Sequence, residues 1–311
     1  MGINSYGPEG TRIGKQENRE LISSLQGLEK AMNQGKILEA IAIVCDSNIN
    51  LHVELYGIEG IIERSEAMLN ANGEDIKDIA IITRVGKPVC FKILSIEKKG
   101  DKNIAYLSRR AAQLECRTNF ISDLICGDII KAKITHLESF GAFVDIGCGI
   151  ISLLSIDSIS VSRISHPSAR LSVGDTIYTV VKSIDDRGRI YVSERELLGS
   201  WEENARLFTE GETVRGIVRS VENYGIFIEL KPNLAGLAEY KDDVYVGQTA
   251  AVYIKSIIPE KMKIKLIIID SHDAPLYNEP LKYFIDTEKV THIDCWTYSP
   301  SSCKRVIETV F

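Results

Sequence analysis

Residues 127–195 read GDIIKAKITHLESFGAFVDIGCGIISLLSIDSISVSRISHPSARLSVGDTIYTVVKSIDDRGRIYVSER. From Gly127-Asp128 the pattern alternates through Ile130, Ala132 and Ile134, presents Phe140-Gly141-Ala142-Phe143, and alternates again to Ile146, with β-branched residues throughout. This pattern predicts two strands joined by a tight corner. Strict period-two alternation sends Phe140 and Phe143 to opposite faces, whereas a bulge at the intervening glycine re-phases the strand and places both rings on one exposed surface. Two exposed rings form a stacking platform, so the stretch reads as a β-barrel that binds nucleic acid.

The same grammar recurs. Residues 211–230, GETVRGIVRSVENYGIFIEL, set Gly211, Ile217, Val221, Tyr224, Gly225 and Phe227 in the order of Gly127, Ile134, Leu137, Phe140, Gly141 and Phe143. Downstream, SVGDTIYTVVKSIDDRGRIYVS (172–193) is answered by YVGQTAAVYIKSIIPEKMKIKL (245–266), each a Val-Gly turn followed by a hairpin. Both units therefore predict about five short strands. A weaker copy lies upstream in GKILEAIAIVCDSNINLHVELYGIEGIIE (35–63) and RVGKPVCFKILSIEKKGDKNIAYLSRR (84–110). There Ile49 and His52 stand where the two phenylalanines would be, so this barrel is expected to keep the fold without the stacking surface.

The FGAFVDIG, HPS, VGD and DDRGRIYVSERE elements resemble the S-one RNA-binding repeat, a five-stranded OB-type barrel. The likeness is strongest over 127–198 and extends to 211–268 and 35–110. The whole chain resembles a short bacterial S-one-like protein of the ribosomal S-one family with three repeats. The resemblance implies an RNA face made of two aromatics, a histidine, an aspartate and an arginine. In the second repeat Phe140 and Phe143 match the rings, Asp185 the acid and Arg189 the base, while Ser155 replaces the histidine. In the third, Tyr224 and Phe227 match the rings and Lys263 the base, but Glu239 replaces the histidine and Ile258 the aspartate. An acid facing phosphates would weaken binding or change its preference.

Single-stranded bases stack on Phe or Tyr at about 1–3 kcal/mol per base, and Arg or Lys along a groove engage phosphates. Lys133, together with Arg163 and His166 in the long 156–173 loop, adds candidates for that groove. A duplex hides its base faces, so the platform favours single strands. Phenylalanines in short strands usually fill cores; the glycine between these two, and their repetition as Tyr224 and Phe227, favour the surface.

Composition sets limits. With 37 basic and 43 acidic residues the net charge is −6, which counts against a dedicated nucleic-acid binder and predicts modest, partly salt-dependent affinity. The 311 residues and 44% hydrophobic content suit three barrels of about 70 residues with linkers. No apolar run approaches the ~20 residues of a membrane span and no signal segment begins the chain, so a cytoplasmic protein with no membrane partner is expected. Seven cysteines scattered singly agree with a reducing compartment.

The organisation expected is an N-terminal extension with an amphipathic helix (1–34), a degenerate first barrel (35–110), a helical linker (111–126), a second barrel (127–198), a second helical linker (199–210), a third barrel (211–270) and a C-terminal β appendage (271–311). Leu21, Leu25, Leu28 and Met32 define one amphipathic helix before a Gly35 cap, and Trp201 in the second linker is an expected anchor. Strands are expected around Tyr283 and Ile285 and over 305–311, docking the appendage on a barrel. His292, Cys295 and Cys303 match no zinc signature, and no metal or cofactor is expected. Phosphate loop, nucleophile elbow and metal-hydrolase histidine pair are all missing, so no catalytic residue is assigned. The expectation is thus an all-β-dominated, multidomain, monomeric binder of single-stranded RNA: an mRNA-binding or ribosome-associated translation factor, with the small ribosomal subunit as a further partner. Its competitor is a protein-interaction scaffold docking on the ribosome or another RNA-processing assembly.

Overall fold

The computed structural model describes residues 6–70, 77–273 and 281–311. The start of the N-terminal extension and the first part of the expected appendage, 274–280, lie outside the described residues.

Three closed five-stranded barrels account for most of the chain, which is the tandem OB-type architecture expected. The first is built from β1 (Leu38–Cys45), β2 (Leu51–Leu55), β3 (Ile58–Ile62), β4 (Pro88–Lys99) and β5 (Lys102–Ser108). The second uses β6 (Ile129–Glu138), β7 (Gly141–Gly147), β8 (Ile150–Ser155), β9 (Thr176–Ile184) and β10 (Ile190–Ser193). The third uses β11 (Thr213–Glu222), β12 (Gly225–Lys231), β13 (Leu234–Ala238), β14 (Thr249–Ile258) and β15 (Lys263–His272). Each closes in the same order, with the third strand parallel to the fifth: β3 to β5, β8 to β10 and β13 to β15. Alternation drives the closure. In β1, β2, β4 and β5 the inward set includes Leu38, Leu51, Val53, Phe91 and Leu107, all buried in one cluster. Fully burying such a side chain contributes roughly 1.5–3 kcal/mol.

The single N-terminal helix expected is two: α1 (Gln16–Ile22) and α2 (Leu25–Asn33). Ser24 is extended and its hydroxyl accepts from the Gly27 amide at 3.1 Å, starting a new helix where leucine spacing alone suggests continuity. Gly27 permits the corner, since a Cβ there would lie 2.5 Å from the Leu21 carbonyl oxygen. The far end ends as expected. Gly35 has φ +61°, its amide donates to Met32 and the Lys36 amide to Ala31, a Schellman closure. Leu21, Leu28 and Ala31 pack into the first barrel's core. Short α3 (Asp78–Ile82) adds Ile81 to the same core, and α4 (Arg109–Asn119) and α5 (Trp201–Ala205) fall in the two stretches read as linkers.

The chain divides into two compact units. The first comprises the residues up to Leu124 with Lys131–Lys133 and Asp145–Ile151; the second comprises Ile125–Ile130, Ile134–Val144 and Ser152–Phe311. Inside the first, the Arg109 guanidinium grips the buried Glu9 carboxylate at 2.7 and 2.9 Å, and Glu9 also accepts from the Cys90 amide at 3.0 Å. Burial opposes ionisation of Glu9, yet Arg109 holds its carboxyl below the ordinary value.

Inside the second unit the C-terminal segment is woven into two cores. Tyr283, Ile285, Val290, Ile293 and Phe311 pack around Ile129, Val180 and Leu197, whereas Trp296 and Tyr298 join Trp201 in the third barrel's core. The docking expected is present, and so is the strand expected within 305–311, but the one expected around Tyr283 and Ile285 is not. The strands are β16 (Cys295–Thr297) and β17 (Glu308–Val310), paired antiparallel, and Tyr283 and Ile285 lie outside any strand. Those two side chains are spent on packing, and the Phe284 amide donates to the Leu197 carbonyl instead of to a strand partner. Among the described residues no helix is long and apolar enough to cross a membrane, and no cluster of His, Cys, Asp and Glu is placed to hold a metal ion.

Candidate nucleic-acid interface

In the second barrel Phe140 sits in the β6–β7 turn and Phe143 is the third residue of β7. Their rings meet edge to face, with centroids 6.0 Å apart and planes at 88°. Phe140 is 53% exposed and Phe143 half-buried, so each presents an aromatic surface to solvent. The convergence has a different cause from the bulge expected. Phe140 precedes the strand, and the Ile156 amide donates to its carbonyl at 2.9 Å, tying the turn to the end of β8. Gly141 serves close approach: a Cβ there would stand 2.4 Å from the Leu154 carbonyl oxygen.

The third barrel repeats the device. Tyr224, 70% exposed, precedes β12, and Phe227 is that strand's third residue. Their centroids lie 6.1 Å apart at 85°. Gly225 again passes close to the third strand, its φ at +150° and a Cβ placed 2.5 Å from the Ala238 oxygen. The irregularity is on the partner strand, where the register skips between Val218 and Ser220. Edge-to-face pairs at these separations contribute about 0.5–1.5 kcal/mol and hold the rings in a fixed relation.

Register shows what the first barrel has instead. His52 pairs with Val44 just before a skip to Val53–Ala42, as Phe227 pairs with Ser220 before the skip to Ile228–Val218. His52 thus takes the second ring's place, held between Asp46 at 3.3 Å and Glu59 at 3.2 Å. Ile49 takes the first, with φ +64° and its side chain against the barrel core. No ring pair forms there.

The remaining candidates divide. Asp185 is taken up by its own hairpin: it accepts from the Arg189 amide at 2.8 Å and the Arg187 amide at 2.9 Å. Chiefly the Arg189 amide holds its carboxyl below the ordinary value. Arg189 leads into β10 and is exposed, and Lys263 is likewise exposed at the start of β15. His166 caps the short 3-10 turn at Pro167–Ala169, its Nδ1 accepting from the Ser168 amide at 3.1 Å, while Arg163 in the same loop is exposed. Lys133 belongs to the first unit, where its Nζ donates to the Glu9 carbonyl at 3.0 Å. Ser155, where the family resemblance calls for histidine, ends β8 beside the Phe140 turn and hydrogen-bonds Ser158 at 2.8 Å.

A histidine is nevertheless present at the rings. His136 on β6 stacks with Phe143, centroids 6.4 Å apart at 22°, and contacts Glu138 at 2.8 Å. Sequence reasoning passes over it because it lies seven residues before Phe143 and meets it only across the β6–β7 pair. Lys265, exposed on β15 and in register with Leu237 of β13, was missed for the same reason. Together the rings offer stacking surfaces, and Arg189, Lys263 and Lys265 are basic residues exposed on the same barrels.

Comparison with protein families matches the S1 RNA binding domain over residues 124–195. A small ribosomal subunit protein bS1 homolog from Bacillus cereus is 31% identical over 281 residues, covering 85% of this chain and 69% of that protein. The bS1 proteins of Staphylococcus saprophyticus and Mycobacterium tuberculosis are 31% and 32% identical over 200 and 219 residues; those matches span 50% and 44% of their length. The repeated barrel, the paired rings and similarity at this level over most of the sequence place the chain in the bS1 family of small ribosomal subunit proteins.

Proposed function

We propose that this protein binds single-stranded RNA through its second and third barrels, residues 127–198 and 211–270, and acts in the cytoplasm as a monomeric mRNA-binding or ribosome-associated translation factor without catalytic activity. The observation that carries the reading is the duplicated ring pair: Phe140 with Phe143 and Tyr224 with Phe227 adopt the same edge-to-face geometry at the same point of two barrels. Core phenylalanines would not leave the first ring of each pair more than half exposed. The relatives' description as small ribosomal subunit proteins supports the subunit as a partner. The face assigned to RNA is Phe140, Phe143, His136 and Arg189 in one barrel, and Tyr224, Phe227, Lys263 and Lys265 in the other. Asp185 shapes its hairpin, and the first barrel adds little. A scaffold role is favoured only at that barrel, where exposed Ile43 and Val44 stand beside His52 in place of a ring pair.

The test is fluorescence anisotropy of a labelled single-stranded RNA against the intact chain and its Phe140→Ala/Phe143→Ala variant across a salt series. Loss of two stacking contacts, each about 1–3 kcal/mol, weakens binding at least tenfold. Affinity that is indifferent to the change would sink the reading and leave the scaffold.

A further inference from the structure

Within the second unit a cleft of about 840 Å³ opens between β11 and β12 of the third barrel, the Ala169–Arg170 turn, the segment after α5 and the C-terminal segment at 281–284. It lies off both ring pairs, whose residues are not among its walls. Its charge is one-sided. Among the described residues, Arg170, Arg215, Arg219 and Lys282 line it with one carboxylate, Glu229, in a chain whose net charge is −6. Two of these cations share that acid: Arg170 takes both Glu229 oxygens, and Arg219 reaches the same two at 2.9 and 3.1 Å. Glu229 thus answers two guanidiniums, the Arg170 and Glu229 side chains each 5% exposed and that of Arg219 11%, and Glu194 adds only a lesser attraction on Arg170. Burial pushes Arg170 below the ordinary guanidinium value, and the neighbouring Arg219 adds to the push. A second anion would relieve that excess.

The walls also carry rings. Phe284 is fixed by its amide's 2.9 Å hydrogen bond to the Leu197 carbonyl and lies against Gly199, where a Cβ would fall 2.7 Å from the ring; the φ of that glycine is +80°. The Lys282 ammonium stands 5.8 Å from the Phe284 centroid, so cation and ring are presented side by side. Phe208 and Leu207 supply further apolar surface. Volume, excess positive charge and a fixed aromatic together define a ligand that is anionic at one end and planar at the other.

We propose that this cleft binds a nucleotide, its phosphates held by Arg215 and Lys282 over the Arg170–Glu229–Arg219 cluster and its base against Phe284. The nucleotide is either free or one unit of an RNA chain, and the site operates independently of the ring pairs.

The test uses the full chain, with adenosine 5′-diphosphate and inorganic pyrophosphate titrated calorimetrically and a short labelled RNA followed by anisotropy. The variants are Arg215→Glu/Lys282→Glu, both on exposed side chains, the conservative Phe284→Leu, and Phe140→Ala/Phe143→Ala as the control. For a free nucleotide, the diphosphate binds, the charge reversal weakens it at least tenfold, Phe284→Leu weakens it severalfold, and the control leaves it unchanged. For a nucleotide within RNA, the diphosphate does not bind, but charge reversal lowers RNA affinity at least tenfold, and by the same factor when added to the control variant. A ring-platform failure is read separately, as RNA binding indifferent to Phe140→Ala/Phe143→Ala. Four results overturn the proposal: diphosphate binding unmoved by charge reversal, pyrophosphate binding as tightly as the nucleotide, nucleotide binding indifferent to Phe284→Leu, or no diphosphate binding with RNA affinity unchanged by charge reversal. Should the double reversal disturb folding, Arg215→Gln/Lys282→Gln reads the same contrast at reduced amplitude.

Discussion

Glu194 is buried with one carboxylate oxygen accepting from the Tyr283 hydroxyl at 3.1 Å and the other without a hydrogen-bond partner among the described residues. Burial pushes its carboxyl up to about 8 from an ordinary 4.5, so the folded chain holds a proton there that the unfolded chain releases. The folded state binds more protons between those two values, and stability therefore falls as pH rises from 4.5 to about 8 and levels off above. Glu194→Gln keeps an acceptor for Tyr283 and removes the titration. Its melting temperature relative to the parent should rise across that window and stay flat beyond it; a constant difference would show that Glu194 is not the titrating group. None of this was legible in the sequence, where Glu194 is one acid in an SERE run. The same holds for His136 and Asp185, whose roles depend on a cross-strand neighbour and on local amides. Phe140 and Phe143 were legible because their pattern recurs, though the reason they converge is a turn and a close passage of Gly141, not a bulge.

At the scale of elements, α5 has five residues, too few to persist on its own. It is held by a capping box, the Glu203 amide donating to the Ser200 hydroxyl at 3.2 Å and the Ser200 amide to the Glu203 carboxylate at 2.8 Å, and by burial of Trp201. Ser200→Ala should cost about 1 kcal/mol in urea unfolding, and Ser200→Thr should recover most of it. An alanine variant as stable as the parent would mean that Trp201 alone holds the turn. Strands were the readable elements, since period-two alternation survives in all three repeats. Helix continuity was not, because Ser24 becomes a cap only when its side chain turns back to Gly27.

At the scale of the molecule, two compact units predict two unfolding transitions. Trp296 is buried in the third barrel's core, its ring 5.6 Å from that of Tyr298. Trp296→Ala should cost roughly 3–5 kcal/mol and lower one calorimetric transition while leaving the other in place. Movement of both would show that the units unfold together. The repeat count was legible across the whole chain, but the fate of the C-terminal segment was not. Its partners, such as Ile129, Val180 and Asn233, lie tens of residues or more upstream, and only the folded chain brings them to Ile293, Tyr283 and Tyr298.

That weave orders events during synthesis. The first unit is complete once Ile151 has emerged from the peptide exit, whereas the second lacks Trp296, Tyr298 and Phe311 until those residues are made. At about 5–20 residues per second, the stretch from Ser193, the end of β10, to Phe311 takes on the order of ten seconds, during which the ring-bearing second barrel is present without the C-terminal side chains that pack on Ile129 and Val180.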